Sequence, residues 1–261
     1  MPDAHILAIA NQKGGVGKTT TAINLGAALS EMGHEVILID LDPQGNASTG
    51  LGIDPKKRSL SSFDLLTGDV TLQAGRCPTA FPRLSIVPAT SDLSSADAQL
   101  SQRSDRLRLL SQALRSAPAE TIILIDCPPA LGLLTVNAMV AADAVLVPLQ
   151  AEFYALEGLS QLLTTVREVR SSANPTLRIN GVVLTMSDNR NNLSQQVEAD
   201  ARATLGDLVY ATVIPRNVRV SESPSHAMPV LNYDPQSKGS LAYRQLAAEF
   251  AARLKLPEVV S

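Results

Sequence analysis

The sequence predicts an α/β fold with a mostly parallel central sheet and helices on both faces. Three observations support it. Short apolar runs alternate with helical patterns along the 261 residues, the first run leads through a glycine-rich loop into a helix, and two later runs end in aspartates. Such alternation implies crossover connections between parallel strands. No segment reads as a linker, repeat or low-complexity tract, so we expect one domain over residues 1–261.

The predicted elements follow from hydrophobic periodicity and from helix start and stop signals. The first strand covers 5–10, and the helix after the glycine-rich loop covers 19–32, ending before Gly33. Further strands are predicted at 35–41, 84–88, 121–126, 144–149, 178–185 and 209–214. Further helices are predicted near 61–66, 94–116, 133–142, 155–172, 192–205 and 238–254. The glycine- and proline-rich stretch 50–83 is expected to form surface loops around its short helix.

The first loop reads Asn-Gln-Lys-Gly-Gly-Val-Gly-Lys-Thr-Thr over residues 11–20 and departs from the usual phosphate-binding pattern. In Gly-x4-Gly-Lys-Ser/Thr, backbone N–H groups surround phosphates, the lysine reaches the β and γ oxygens, and the hydroxyl binds Mg²⁺. Here Gln12 stands at the first glycine position and Lys13 adds a second cation. The loop keeps the freedom to take positive φ at three glycines, Gly14, Gly15 and Gly17. The predicted nucleotide-binding residues of the loop are Gly14, Gly15, Val16, Gly17, Lys18, Thr19 and Thr20.

Aspartates stand where two apolar strands end. Asp40 and Asp42 close the second predicted strand, and Asp126 closes the fourth. A carboxylate in so apolar a setting needs a cation or hydrogen-bond donors, which Mg²⁺ or its waters supply at the carboxyl ends of parallel strands. We therefore predict that Asp126 is a Walker B aspartate and that Thr19, Asp40 and Asp126 surround the metal.

The sequence leaves the roles of Asp40 and Asp42 open. Asp42 could orient the attacking water, and Asp40 could hold the metal's water shell or Thr19, since phosphoryl transfer requires both tasks. Either residue could instead be a turn-capping aspartate before Pro43.

Composition limits the classes of protein that this chain can represent. A net charge of −3 and a pI near 5.6 exclude a surface coated in positive charge, so nucleic-acid binding would need a local patch. Cys77 and Cys127 cannot make a disulfide framework or a complete metal site within one chain. No run approaches ~18 apolar residues, and the N-terminus lacks a signal pattern, so a cytoplasmic protein is expected.

Taken together, the motifs point to a known family. They are Lys13, Lys18, the run Asp42-Pro-Gln-Gly-Asn46, the run Asp126-Cys-Pro-Pro129 and the run Val213-Ile-Pro-Arg-Asn-Val-Arg-Val-Ser-Glu222. With them the chain resembles the ParA/Soj partition ATPases, members of the deviant Walker A class of P-loop NTPases that also contains MinD. The resemblance extends from about residue 5 to residue 250.

The resemblance implies an Mg²⁺-dependent ATPase that forms a homodimer with two ATP molecules between its subunits. Lys18 and Asp42 would act in their own subunit, and Lys13 would reach the partner's phosphates, as an arginine finger does elsewhere. The family also binds double-stranded DNA without sequence preference, at the nucleoid, and a ParB-like partner stimulates its slow hydrolysis.

Further site residues are carried over from the same resemblance. Arg190 and Arg219 match positions of basic residues that bind DNA in Soj-like relatives, and Arg202 and Lys238 are additional candidates. Two residues, Pro215 and Asn217, match the family's adenine pocket. An equally open interpretation is that the proline only ends a strand.

Other functions are weighed against this one. A MinD-like ATPase, or another cargo-positioning ATPase acting at a membrane or protein scaffold, is the alternative. A membrane contact would need a basic amphipathic C-terminal helix, whereas the chain ends in Leu256-Pro-Glu-Val-Val-Ser261, so no membrane partner is expected. About ten residues precede the phosphate loop, too few for a helix-turn-helix module, so specific operator binding is not expected. A shared iron–sulfur cluster is disfavoured because Cys127 lies directly against Asp126.

Overall fold

An eight-stranded sheet forms the centre of the computed structural model, which describes residues 4–152, 155–188 and 190–257. Its strands are β1 (His5–Ile9), β2 (Val36–Asp40), β3 (Cys77–Pro78), β4 (Leu84–Val87), β5 (Ile122–Asp126), β6 (Ala144–Gln150), β7 (Arg178–Ser187) and β8 (Val209–Pro215). They lie in the order β3-β4-β2-β5-β1-β6-β7-β8, and every neighbouring pair is parallel except β3 with β4. The predicted mostly parallel sheet is therefore confirmed, and each predicted strand matches to within about two residues.

Helices cover both faces of this sheet. They are α1 (Lys18–Glu31), α2 (Asn46–Gly50), α3 (Ser62–Thr67), α4 (Leu72–Gly75), α5 (Ala96–Leu100), α6 (Leu109–Ala113), α7 (Leu133–Ala141), α8 (Ala155–Ser172), α9 (Asn192–Leu205), α10 (Val218–Glu222), α11 (Val230–Tyr233) and α12 (Lys238–Leu254). Buried side chains of α1, α11 and α12 form one hydrophobic core with the sheet. Those of α5 to α9 form the other.

Alternate residues of the central strands enter these two cores. In β1, Leu7 and Ile9 pack with α1 and α12, whereas Ala8 packs with α7 and α8 on the opposite face. In β2, Leu38 packs in the core with α1 and α12, and Ile39 packs in the core with α7 and α8. Because both faces are buried, these strands read as continuous apolar runs rather than as alternating patterns.

The predicted helix near 94–116 is wrong as a single element. The structure has two short helices, α5 and α6, separated by a turn. In that turn the Arg103 guanidinium makes two hydrogen bonds of 3.0 Å to Asp105, and Arg106 donates to the Ser101 carbonyl at 2.7 Å. Polar side chains that bond locally compete with the helical hydrogen bonds, which explains the interruption.

The stretch 50–83 is more regular than the sequence predicts. The expected short helix is present as α3, but α4 and the antiparallel strand β3 were not predicted. Thr71 caps α4 by accepting a hydrogen bond from the Ala74 N–H at 3.3 Å. These elements extend the sheet beyond β4 and cover its edge.

Side chains close the opposite edge of the sheet, along β8. Both Glu249 oxygens accept backbone hydrogen bonds from β8, from Ala211 at 2.8 Å and from Thr212 at 2.9 Å. Arg202 donates to the Tyr210 carbonyl at 3.1 Å, and Arg253 donates to the Val209 carbonyl at 3.2 Å. An edge whose donors and acceptors are occupied is protected against pairing with another chain.

Residues 1–3, Phe153, Tyr154, Asn189 and residues 258–261 of the C-terminal segment lie outside the described residues. Among the described helices, none combines the length and the apolar content needed to cross a bilayer.

Candidate functional site

The phosphate loop and the aspartates meet at the carboxyl edge of the sheet. Asp40 and Asp126 are paired residues at the ends of neighbouring strands, and Asp126 is also paired with Ile9 at the end of β1. The loop that follows β1 therefore begins beside both carboxylates. This juxtaposition confirms the sheet-edge geometry on which the predicted site depends.

Backbone conformation and two side-chain hydrogen bonds fix the loop. Gly15 and Gly17 have φ of 74° and 86°, and Gly17 caps α1. Gly14 is not in the positive-φ region, so the turn uses this freedom at two of its three glycines. The Thr185 hydroxyl donates to the Val16 carbonyl at 2.8 Å, which ties the loop to β7. Asn11 donates to the Pro148 carbonyl at 2.7 Å and ties it to β6.

The two lysines of the loop occupy different environments. Lys18 is 7% exposed and donates to the Lys13 carbonyl at 3.1 Å. It lines the cavity, described below, that opens between the phosphate loop and the segment after β8. Burial lowers the pKa of Lys18, and the nearby Asp126, Cys127 and Asp42 oppose that shift. Lys13 does not line the cavity, and its ammonium lies 2.8 Å from Glu152, with both side chains partly exposed.

Asp126 is fully buried, and neither of its carboxylate oxygens receives a hydrogen bond from a described residue. Burial and the neighbouring Asp40 raise the pKa of Asp126 well above its usual value. The Thr19 hydroxyl lies close enough to oppose this shift without meeting the distance and angle of a hydrogen bond. A buried carboxylate without a partner is costly, so Asp126 is suited to a ligand that brings positive charge or donors.

Asp40 is also fully buried but has protein partners. Its oxygens accept hydrogen bonds from the Ser48 hydroxyl at 2.6 Å, from the Ser48 N–H at 2.9 Å and from the Asp42 N–H at 3.2 Å. Burial raises the pKa of Asp40 to about 6, although the bonds from Ser48 oppose the shift. Asp40 therefore anchors the chain that follows β2.

Asp42 lies at the wall of the cavity and is 8% exposed. Its Oδ1 accepts the Gln44 N–H at 3.0 Å, the arrangement expected of a turn-capping aspartate. Its Oδ2 faces no described donor at hydrogen-bond distance. Both interpretations of Asp42 are thus compatible with the geometry.

The donor set fits Mg²⁺ held together with a phosphate. Thr19 and Asp126 supply a hydroxyl and an unpartnered carboxylate beside the loop. Among the described residues no three His, Cys, Asp or Glu side chains form a cage for a metal. Mg²⁺ usually takes one or two protein oxygens and completes its six positions with water and phosphate oxygens. Thr19 and Asp126 could supply those protein oxygens at this edge of the sheet.

A cavity of about 520 Å³ extends from the loop to the segment after β8. Pro215 is the last residue of β8 and also lines this cavity, so both interpretations of it hold. Asn217 lines the same end, and its side-chain oxygen caps α10 by accepting the N–H groups of Arg219 at 2.9 Å and Val220 at 3.4 Å. The Asn217 amide nitrogen is left to donate to a ligand.

Several lining residues were not predicted. They are Gln44, Asn46, Pro129, Thr185, Met186, Ile214, Arg216, Val220, Ser221, Pro224 and Tyr243. Met186 has a φ of 52°, a left-handed conformation that costs a bulky side chain on the order of 1–3 kcal/mol and is typical of functional sites. Gln44 and Asn46 belong to a motif that the sequence did reveal. Tyr243 comes from the middle of α12, where only tertiary packing brings it to the cavity.

Arg190 and Arg219 follow neighbouring strands at this same edge of the sheet. Arg190 comes after β7, is 90% exposed and pairs with Asp188 at 3.0 Å. Arg219, in α10, pairs with Glu222 at 3.0 Å and with Asp234 at 3.3 Å. The two predicted DNA contacts therefore share one surface, where each has an acidic neighbour.

The other two DNA candidates lie differently. Arg202 pairs with Glu198 at 3.0 Å and donates to backbone carbonyls of β8, so its donors are engaged in closing the sheet edge. Lys238 begins α12, is exposed and forms no ion pair among the described residues. DNA binding by either remains a prediction, and the geometry favours Lys238 over Arg202.

Comparison with known proteins finds relatives over most of the chain. Residues 4–179 match the family model described as AAA domain. The chain is 57% identical over 252 residues to the chromosome partitioning protein ParA of Caulobacter vibrioides, covering 95% of this chain and 94% of that protein. It is 50% identical over 248 residues to the sporulation initiation inhibitor protein Soj of Bacillus subtilis, covering 95% and 98%.

A solved structure has the same fold. It is cobyrinic acid a,c-diamide synthase from Mycobacterium smegmatis with bound ADP and magnesium, at 38% identity and a TM-score of 0.84, covering 99% of this chain and 100% of that one. The partitioning proteins are more similar in sequence, at 57% and 50% identity, and match nearly their full length. This chain belongs to the ParA/Soj family of chromosome partitioning ATPases.

Proposed function

We propose that this chain is a DNA-segregation ATPase whose ATP- and Mg²⁺-bound form is a homodimer. The dimer binds double-stranded DNA without sequence preference on the nucleoid, and a ParB-like partner stimulates hydrolysis and release. Support comes from the identity to a chromosome partitioning protein and from the ADP and magnesium bound by a 38% identical neighbour.

The separation of the two lysines carries this proposal. Lys18 lines the cavity with Thr19 and Asp42, whereas the Lys13 ammonium lies outside it, 2.8 Å from Glu152. A partly exposed ion pair is worth only about 0–1 kcal/mol, so Lys13 can leave Glu152 at small cost. Lys13 is therefore available to a second subunit, while Lys18 serves the nucleotide of its own chain.

Each residue of the cavity then has a defined task. Lys18 and the loop N–H groups bind the phosphates. Thr19 and Asp126 would hold Mg²⁺, which neutralises charge on the phosphate oxygens when bound. Asp42 orients the attacking water through Oδ2, since Gln44 occupies its Oδ1. Pro215 and Asn217 contact the base.

The arginine surface supplies the DNA contacts. Arg190 and Arg219 are exposed, and their ion pairs are of the exposed kind that contributes little to stability. A phosphate can therefore replace an acidic neighbour. Two copies of this surface on one dimer would form a local basic patch on a chain whose net charge is −3.

DNA binding measured with ATP, with ADP and without nucleotide, over a salt series, tests the proposal. Binding is expected only with ATP, with a log–log slope of roughly −0.9 for each phosphate neutralised. Arg190→Ala with Arg219→Ala should dimerise and lose DNA binding. Arg170→Ala, an exposed arginine at the end of α8, is the matched control. Equal binding in all three nucleotide states would refute the switch, and binding to lipid vesicles instead of DNA would favour the MinD-like alternative.

A further inference from the structure

Arg58 lies in the segment between α2 and α3, outside the nucleotide cavity, yet all three nitrogens of its guanidinium donate hydrogen bonds. Nε and Nη2 donate to the Ile53 carbonyl at 3.2 and 2.9 Å. Nη1 donates to the Ala89 carbonyl at 3.0 Å, and Nη2 donates to the Thr49 hydroxyl at 2.8 Å. This one side chain thus connects the end of α2 to the chain that follows β4.

The first of two hydrogen-bond chains leads from Arg58 towards Asp42. The Thr49 hydroxyl, which accepts from Arg58, donates to the Gly45 carbonyl at 3.0 Å. The Gly45 N–H donates to the Asp42 carbonyl at 2.8 Å. Gly45 has a φ of 62°, and a Cβ there would lie 2.3 Å from Arg58 Nη1, so the guanidinium packs directly against this turn.

The second chain leads from Arg58 to Asp40. Ala89, whose carbonyl accepts from Arg58, donates its N–H to the Ser48 hydroxyl at 3.0 Å. That hydroxyl donates to Asp40 Oδ2 at 2.6 Å. Arg58 is therefore connected to the main-chain carbonyl of Asp42 and to the carboxylate of Asp40, through different intermediates.

The two neighbouring basic residues do not have the contacts that Arg58 makes. Lys56 and Lys57 directly precede Arg58 and are exposed, and neither amino group forms an ion pair among the described residues. Burial lowers the pKa of Arg58, and the negative charge of Asp40 opposes that shift. The fork of a guanidinium is needed here because one side chain must donate in three directions.

We propose that Arg58 is a positioning residue for ATP hydrolysis, holding the turn at residues 42–46 so that Asp42 faces the attacking water. The inference rests on the proposed ATPase function. Arg58 does not line the cavity, and the loop that binds the phosphates is anchored separately by Thr185 and Asn11. Loss of Arg58 should therefore affect the chemical step more than nucleotide binding.

The test compares Arg58→Ala with Lys57→Ala, which removes the same charge one residue away. Hydrolysis of ATP is measured under single-turnover and steady-state conditions, and folding is checked by thermal unfolding. We expect Arg58→Ala to lower kcat by about 10- to 100-fold with KM changed less than about threefold, since an error near 1 Å in positioning costs about 10². Lys57→Ala should match the wild type. A folded Arg58→Ala protein with wild-type kcat would overturn the inference.

Two further measurements separate positioning from general stability. Thr49→Val breaks only the hydrogen-bond chain from Arg58 to Asp42 and should lower kcat at unchanged KM. This variant tests the positioning role even if Arg58→Ala does not fold. The slow residual hydrolysis left in Asp42→Ala, followed under single-turnover conditions, should fall no further when Arg58→Ala is added, because residues acting as one unit are not additive. Additive losses, or wild-type kcat in Thr49→Val, would refute the positioning role. Absence of hydrolysis by the wild type would instead refute the proposed function.

Discussion

Lys13→Ala should abolish ATP-dependent dimerisation and hydrolysis while leaving ATP binding and monomer stability almost unchanged. The Lys13 side chain is 38% exposed and its partner Glu152 is 46% exposed, so their ion pair contributes at most about 1 kcal/mol to the monomer. Release of Lys13 from Glu152 therefore disfavours dimer formation by no more than roughly fivefold for each subunit. A cation supplied to a neighbouring subunit's phosphates is worth about 10³ to 10⁵ in kcat. The loss of kcat in Lys13→Ala should therefore be much larger than the effect of the broken ion pair on monomer stability or dimer formation.

Mixing two inactive variants tests which subunit Lys13 serves. Lys13→Ala and Asp42→Ala should each be inactive alone. Asp42 and Lys18 line the same cavity, so a mixed dimer has one intact site, made of Asp42 from one chain and Lys13 from the other. If pairing in equal amounts were random, half of the dimers would be mixed, each with one active site of two, and about a quarter of wild-type activity would be restored. Because Lys13→Ala dimerises poorly, about a quarter is the upper limit.

The assay follows phosphate release at several protein concentrations, with light scattering to measure dimerisation. Wild-type activity per subunit should rise with concentration and then saturate. The reasoning is refuted if the mixture stays inactive while mixed dimers form, because Lys13 would then serve its own nucleotide. It is equally refuted if wild-type activity per subunit is independent of concentration.

Further predictions concern the buried charges and the sheet edge. Lys18→Ala should weaken ATP binding about 10- to 100-fold by calorimetry, because a charge-assisted hydrogen bond contributes about 1.5–3 kcal/mol. Asp126→Asn should remove the dependence of ATP affinity on Mg²⁺, seen in titrations with and without EDTA. Folding raises the pKa of Asp40 from 3.8 to about 6, so its contribution to the free energy of unfolding is present below pH 4 and is lost as pH rises to about 6. That loss is about 3 kcal/mol, and Asp40→Asn should flatten it in urea titrations between these pH values, whereas an unchanged profile would contradict the shift. Glu249→Gln should destabilise the fold by about 1–3 kcal/mol and promote association along β8, measured by urea unfolding and light scattering.

The sheet was predictable because its strands are buried on both faces. Continuous apolar runs identify such strands, and their crossover spacing identifies their parallel arrangement. The helical region 94–116 was not predictable, because polar side chains around Arg103 close a local turn that apolar spacing cannot reveal. The short helices α2 and α4 are likewise too brief to leave a periodic pattern.

The site was predictable where its residues adjoin strand ends in the sequence. The phosphate loop, Asp40 and Asp126 are of this kind. Arg58 was not, since the sequence presents it as one of three consecutive basic residues and only the fold places it beside Ala89. The pair of Lys13 with Glu152 joins positions 139 residues apart, which no local pattern indicates.

The charges of the cavity explain why Asp126 has no partner. Asp40, Asp42 and Asp126, if ionised, are opposed by Lys18 in the cavity and by Arg58 near Asp40, and burial makes each unbalanced charge costly. Protonation relieves this in the empty protein, which is the direction of the raised pKa values of Asp40 and Asp126. On the proposed function, a cation held by Thr19 and Asp126 would favour the ionised carboxylates and so stabilise the folded chain by mass action. On that proposal, the unpartnered Asp126 carboxylate couples the stability of this sheet edge to the binding of metal and nucleotide.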